Sequence, residues 1–183
     1  MLYVNIPNII TLARIVAVPI VVWLIINEHV DAAFWLFIAA GISDGIDGFI
    51  AKRFGQRTIL GAYLDPIADK ALLVSIYVSL GMQQHIPNWL VILVVSRDIL
   101  IVGAVILSWM MDRAVTMQPL YVSKITTVGQ IMLAALVLAD LSYQLELAGL
   151  RDLLVVAVAI VTALSGLAYL VNWLKHMAAY EDL

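Results

Sequence analysis

Six stretches of mostly apolar residues follow one another along this chain. Each is close to the ~20 residues that an α-helix needs to cross the hydrocarbon core of a bilayer. They run approximately from Ile9 to Ile26, Ala32 to Arg53, Leu60 to Met82, Ile86 to Met110, Val122 to Leu138 and Leu153 to Leu174. The links between them are short, which makes consecutive spans antiparallel neighbours. The chain is 64% hydrophobic and 13% charged, against about 45–50% apolar in a soluble domain. The expectation is an all-α membrane protein of six transmembrane helices. It should form a single domain over residues 1–183, since no Ser/Gly linker, low-complexity tract or internal repeat divides the sequence.

Lysine and arginine set the orientation. Lys52, Arg53 and Arg57 fall between the second and third spans, Arg113 and Lys124 flank the link between the fourth and fifth, and Lys175 follows the sixth. The other side carries Arg151 alone. Both termini are therefore expected in the cytoplasm. Trp35, Trp89, Trp109 and Trp173 lie near expected span ends, as interfacial anchors do. The first apolar run lacks a basic leader and an A-x-A-like cleavage site, so it is read as retained. There is no cysteine, which excludes disulfides, thiolate metal sites and a cysteine nucleophile. The net charge of -3 is uninformative about partners beside this asymmetry, and no nucleic-acid partner is expected.

Against this apolar background Asp44, Asp47, Asp65 and Asp69 stand out. A carboxylate within a span costs a few kcal/mol on insertion scales, so acids kept there are functional by default. Asp44 and Asp47 are spaced i, i+3, and Asp65 and Asp69 i, i+4, so each pair shares one helix face. The pairs lie on consecutive antiparallel helices on either side of a short basic turn. At about 1.5 Å per residue, Asp44 lies roughly 13 Å from Arg53 along the axis. Asp65 lies similarly near that turn, so the two faces can meet at matched depth in the cytoplasmic half.

Oxygen ligands of one sign suit a hard divalent cation such as Mg2+, which takes a few carboxylates plus phosphate or water oxygens. The absence of thiolates, and of histidine within a span, argues against zinc. The competing reading pairs the acids with Lys52, Arg53, Arg57 and Lys70. Gly48 and Gly61 sit about one turn from the acids, where small residues allow a helix or a ligand to approach closely. For Gly45 and Gly55, helix packing is a fair rival.

The pattern Asp44-x-x-Asp47-Gly48-x-x-Ala51-Lys52, followed after eight residues by Gly61-x-x-x-Asp65-x-x-x-Asp69, resembles the signature of the CDP-alcohol phosphotransferase (phosphatidyltransferase) family. The family usually has arginine after that alanine. Here Lys52 is followed by Arg53, which leaves open which of them meets phosphate. The resemblance implies a reaction in which an alcohol displaces CMP from a CDP-activated lipid whose pyrophosphate rests on Mg2+ or Mn2+. It implies that Asp44, Asp47 and Asp65 are metal ligands, and that Asp69 is the catalytic base and a candidate metal ligand as well. It places Gly48, Ala51, Lys52, Thr58 and Gly61 at the CDP-lipid. Asn8, Thr11 and Arg14 join them, because they resemble an N-x-x-T-x-x-R element near the nucleotide site of this family. A polar helix end at the interface is the alternative for those three.

Arg97 falls mid-span in "SRDIL", and Lys124, Thr127 and Gln130 repeat at threes on the fifth span. Arg97, Lys124 and Thr127 are read as an acceptor site, the alternative being that the cations balance the acids. His29, His85 and His176 are interfacial rather than catalytic. Two acceptors compete. Phosphatidylglycerophosphate synthases use glycerol 3-phosphate and carry a further basic residue about two turns beyond the Arg-acid pair, where this chain has Val105. The run from "ISDGIDGFIAKRF" through "VSRDIL" to "YVSKITT" instead resembles cardiolipin synthases of the eukaryotic type, also found in some bacteria, which join CDP-diacylglycerol to phosphatidylglycerol. A multi-pass protein of the cell inner membrane, with its site facing the cytoplasm, is the expected setting, and pairing into a homodimer is left open. A divalent-cation transporter is the reading from another class. It would hold its acids near the midplane between repeated halves, and no repeat is seen.

Overall fold

The computed structural model describes residues 6–54, 59–110 and 121–178, with side chains at 10–45, 67–104, 107, 110 and 121–175. Those residues form α1 (Ile6–Ile26), α2 (Val30–Phe54), α3 (Ile59–Met82), α4 (Asn88–Met110), α5 (Tyr121–Tyr143) and α6 (Ala148–Ala178), with no strand among them. Two compact units can be distinguished. One comprises residues 1–85 and 134–147, the other residues 86–133 and 148–183.

In the first unit α1 packs on both α2 and α3. One face of α1 is buried at Thr11, Arg14, Ala17, Val21 and Ile25, steps of three and four that keep to one side of a helix. Leu12, Val16, Ile20, Trp23 and Ile26 face outward. The second unit repeats this inversion: Thr162 and Ser165 of α6 are buried while Leu153, Val156, Ile160, Leu164 and Leu167 are exposed. Contiguous apolar surface outside, with polar groups inside, suits lipid rather than water. By length and composition α5 (Tyr121–Tyr143) and α6 (Ala148–Lys175) can each cross a membrane, and α1 carries a shorter apolar stretch, Ile10–Ile26. In lipid there is little hydrophobic drive between helices, so close packing and interhelical hydrogen bonds hold them. Small buried residues such as Ala17, Ala33, Ala40 and Ala68 permit that packing.

Helix ends follow from local chemistry. "LIINEH" closes α1 and "LGMQQH" closes α3 in the same way. The Glu28 amide donates to the Ile25 carbonyl and the His29 amide to Leu24, while Gln84 donates to Gly81 and His85 to Leu80. This is the Schellman closure, which needs a left-handed residue at its corner. Glu28 (φ 63°) and Gln84 (φ 64°) supply it without being glycine. The Gln83 amide donates to the Ile25 carbonyl at 2.7 Å, tying the two ends together. Pro87 keeps Ile86 out of helical geometry, and its carbonyl receives the first bonds of α4, from Leu90 and Val91. The fourth helix thus begins at Asn88, two residues later than its apolar run suggests. The helix α5 continues past Leu138 to Tyr143, and α6 begins at Ala148, ahead of Leu153. The Asp140 carboxylate accepts from the Leu147 amide at 3.0 Å and so closes the turn between them.

Candidate active site

Arg14 lies eight residues into α1, Asp44 ten residues before the end of α2, and Asp69 ten residues into α3. At about 1.5 Å per residue these are depths of roughly 12–15 Å from the same ends of the three helices. The structure joins them: Arg14 Nη1 lies 3.0 Å from Asp44 Oδ1 and 2.5 Å from Asp69 Oδ1. The guanidinium is 3% exposed, while Asp44 and Asp69 keep 45% and 43% of their side-chain surface open. The cation is therefore inside and the carboxylates form the accessible surface of the site. Thr11, buried one turn before Arg14, lies on the same face of α1.

The two Oδ1 atoms can be no farther apart than these two contacts laid end to end. One acid from each of two helices is thereby brought to a single point, as the i, i+3 and i, i+4 pairs suggested. The donor set is hard and all-oxygen, and carboxylates already gathered around a positive centre fit Mg2+ or Mn2+. Among the described residues no group of three or more potential ligands gathers. The side chains of Asp47 and Asp65 fall outside those residues, as do those of Asn8, Gly48, Ala51, Lys52 and Gly61, and Thr58 falls outside them altogether. Among the described residues, a Cβ at Gly45, beside Asp44, would meet nothing within 4 Å.

The pairing with Arg14 is what sequence reasoning missed. It sought the partners of the acids among Lys52, Arg53, Arg57 and Lys70, near them in sequence, and alternatively in Arg97 and Lys124. The available signal was depth: Arg14 is the cation deepest in the first span, and it lies level with the acids.

In the second unit α4 packs on α6, and Arg97 is the hub. Its Nη1 donates to Asp98 Oδ1 at 2.7 Å, its Nη2 to Ser123 Oγ of α5 at 2.5 Å and to Ser165 Oγ of α6 at 2.8 Å, and its Nε also to Ser165 at 3.3 Å. Its Cζ lies 5.8 Å from the Tyr169 ring centroid, and the stem passes close to Gly166, where an added Cβ would sit 3.6 Å from Arg97 Cγ. Arg97 is 5% exposed and spends its donors within the protein.

Lys124 and Thr127 are exposed. The Lys124 ammonium lies 5.6 Å from the Tyr121 ring centroid, and the Thr127 hydroxyl donates to the Ser123 carbonyl at 3.1 Å. Gln130 does not share their face, contrary to the reading at threes. It is buried and donates to Thr162 Oγ1 at 3.4 Å. Each step of three falls about 60° short of a full turn, so two steps carry a residue about 120° around the helix. Ser123, Thr126 and Gln130, at steps of three and four, hold one line instead. Along it Thr126 lies 3.1 Å from the Val161 carbonyl of α6, and Gly129 packs on Val158. An apolar cavity of about 250 Å3 is lined by Leu100, Gly103, Ala104, Leu107, Leu170 and Trp173. The Val105 side chain lies outside the described residues.

A family model of CDP-alcohol phosphatidyltransferases matches residues 4–165, which include both Arg14 and the two acids. The chain belongs to the CDP-alcohol phosphatidyltransferase family. Three relatives illustrate what the chain is similar to. The CDP-diacylglycerol–glycerol-3-phosphate 3-phosphatidyltransferase 1, chloroplastic, of Oryza sativa is 32% identical over 79% of this chain and 49% of its own. The cardiolipin synthase (CMP-forming) of Homo sapiens is 35% identical over 74% of this chain and 50% of its own. The probable phosphatidylglycerophosphate synthase of Mycobacterium tuberculosis is 30% identical over 97% of this chain and 86% of its own. The chain spans about half the length of the rice and human relatives.

Proposed function

We propose that this chain is an integral membrane phosphatidyltransferase that moves a phosphatidyl group from CDP-diacylglycerol to phosphatidylglycerol, giving cardiolipin and CMP. The observation that carries the reading is the junction of Asp44 and Asp69 on Arg14, at the positions of a motif of fixed acids in a chain of this family. All six helices cross the bilayer, both termini and the site face the cytoplasm, and residues 1–183 work as one domain. The basic residues at one set of helix ends support the orientation, and the family match running through both units supports the single domain. A bacterial inner membrane is the setting.

Asp44, Asp47 and Asp65 would hold a divalent cation, Mg2+ or Mn2+, with Asp69 as a further candidate ligand. When bound, such an ion neutralises pyrophosphate oxygens and polarises the phosphorus as a Lewis acid. The protein does the rest. Asp69 accepts the proton of the acceptor hydroxyl, whose oxygen forms the new bond to the phosphatidyl phosphorus. The bond from that phosphorus to the oxygen bridging it to CMP breaks, and CMP leaves with that oxygen. Asn8, Thr11, Arg14, Gly48, Ala51, Lys52, Thr58 and Gly61 would contact the CDP-lipid, with Lys52 or Arg53 as a point charge on phosphate.

The acceptor follows from charge. Glycerol 3-phosphate approaches a dianion near neutral pH and calls for several cations. Of the two cations assigned to the acceptor, Arg97 is committed to Asp98, Ser123 and Ser165, and Lys124 alone reaches the surface. One outward ammonium, with Thr127 beside it, suits the single diffuse charge of a phosphodiester lipid. The second reading is phosphatidylglycerophosphate synthesis from glycerol 3-phosphate, favoured by the names of the rice and mycobacterial relatives. Purified protein supplied with CDP-diacylglycerol, Mg2+ or Mn2+ and each acceptor separately, with products read by mass spectrometry, tests the choice. Cardiolipin with little phosphatidylglycerophosphate is expected. Efficient phosphatidylglycerophosphate formation without cardiolipin overturns the acceptor assignment.

A further inference from the structure

The guanidinium of Arg14 is a feature of the carboxylate site, among the described residues, that a plain set of ligands does not need. A single nitrogen, Nη1, meets the Oδ1 atoms of both Asp44 and Asp69, and the group that carries it is buried while both acids are open. The two carboxylates come from different helices, and α1 packs on both of those helices. Nη1 therefore stands where the negative charge of α2 and α3 converges, which is also where a divalent ion shared by the two acids would bind.

We propose that Arg14 is the internal counter-cation of this site and competes with the divalent ion for Asp44 and Asp69, so that ion binding and release of the carboxylates from Arg14 are one exchange. The inference rests on the reading that these aspartates hold a divalent cation. Its consequence is twofold. The acids stay balanced within an apolar setting while no ion is bound, and affinity for the ion is held below what the carboxylates alone would give. Arg14 acts through Asp44 and Asp69 and is in that sense a positioning residue.

The opposite sign is physically conceivable, since removing Arg14 also removes the tether that draws the acids together. Charge outweighs it. Like charges about 4 Å apart repel strongly even at an intermediate dielectric, and the repulsion doubles for a divalent ion. Loosening two side chains already placed by packed helices costs less.

The experiment is Mn2+ binding, followed by electron paramagnetic resonance of free Mn2+, to the purified full chain in lipid nanodiscs without nucleotide or lipid substrate. Wild type, Arg14→Met, Arg14→Lys and Asp44→Asn are compared, each with its thermal unfolding in chelator and in excess Mn2+. Arg14→Met should bind Mn2+ about tenfold more tightly than wild type, or better. It should melt lower than wild type in chelator and recover more of its melting temperature on adding Mn2+. Arg14→Lys keeps the charge and should stay within about threefold of wild type. Asp44→Asn should bind Mn2+ much more weakly. Equal or weaker Mn2+ binding by Arg14→Met, with Asp44→Asn still defective, overturns the exchange and leaves the metal reading intact. Mn2+ binding that Asp44→Asn does not weaken overturns the metal reading itself. Should Arg14→Met fold poorly, Arg14→Gln and the shift in melting temperature with Mn2+ supply the same comparison, and an Mn2+-induced shift no larger than that of wild type counts against the exchange.

Discussion

Replacing Arg97 with methionine keeps most of the stem that packs near Gly166 and removes the guanidinium from the join of α4, α5 and α6. Three interhelical hydrogen bonds go with it, one to Ser123 and two to Ser165. Such bonds within a membrane protein average about 0.6 kcal/mol each. The ion pair with Asp98 also goes, and Asp98 is 9% exposed. Removing one partner of a buried pair costs about 3–5 kcal/mol, because the remaining charge stays behind in a poor solvent. The charge therefore dominates, and a total loss of about 5–7 kcal/mol is expected. The double variant Arg97→Met with Asp98→Leu removes both charges and should recover all but about 2 kcal/mol, roughly the value of the three lost hydrogen bonds. Unfolding of the purified protein in mixed micelles, titrated with a denaturing detergent, reads both numbers. CMP release measured at several phosphatidylglycerol concentrations separates this role from substrate binding. The folded fraction of a partly stable variant such as Arg97→Lys should show an acceptor KM near that of wild type. An Arg97→Met protein within about 1 kcal/mol of wild type, with a strongly raised acceptor KM, would refute the reasoning and return Arg97 to the acceptor.

Asp69→Asn should leave turnover negligible while CDP-diacylglycerol still binds, as followed by competition against a labelled CDP-lipid. Turnover near wild type would remove Asp69 from the role of base. Glu28→Gly and Gln84→Gly should each raise stability by about 0.5–1 kcal/mol, since both side chains are held at positive φ that glycine adopts freely. Thermal unfolding checks this, and a loss of stability in both would mean that the side chains give more than the backbone strain costs.

The helices were legible in the sequence because apolar runs of bilayer length leave few alternatives. Their ends were less so, since hydropathy stops counting where polar residues begin. Asp140 looks like the end of a span, yet it lies inside α5 and closes the following turn through the Leu147 amide. Spacing placed Asp44 and Asp69 on faces able to meet, and the structure brings them to one guanidinium. The identity of that guanidinium was not legible, because a partner 30 residues from Asp44 and 55 from Asp69 is chosen by helix packing and depth rather than by local order. Arg97 shows the same limit from the other side. The sequence shows Arg97 beside Asp98 in a span, but that Ser123 and Ser165 of two other helices take its donors is set by packing and shows only in the structure.

Release of CMP from CDP-diacylglycerol by the purified chain in nanodiscs, with phosphatidylglycerol present, tests the central claim most directly. Release should require Mg2+ or Mn2+, stop on adding chelator, and be lost in Asp44→Asn with only partial rescue by excess metal. Undiminished CMP release in chelator, or an Asp44→Asn protein as active as wild type, would contradict the account.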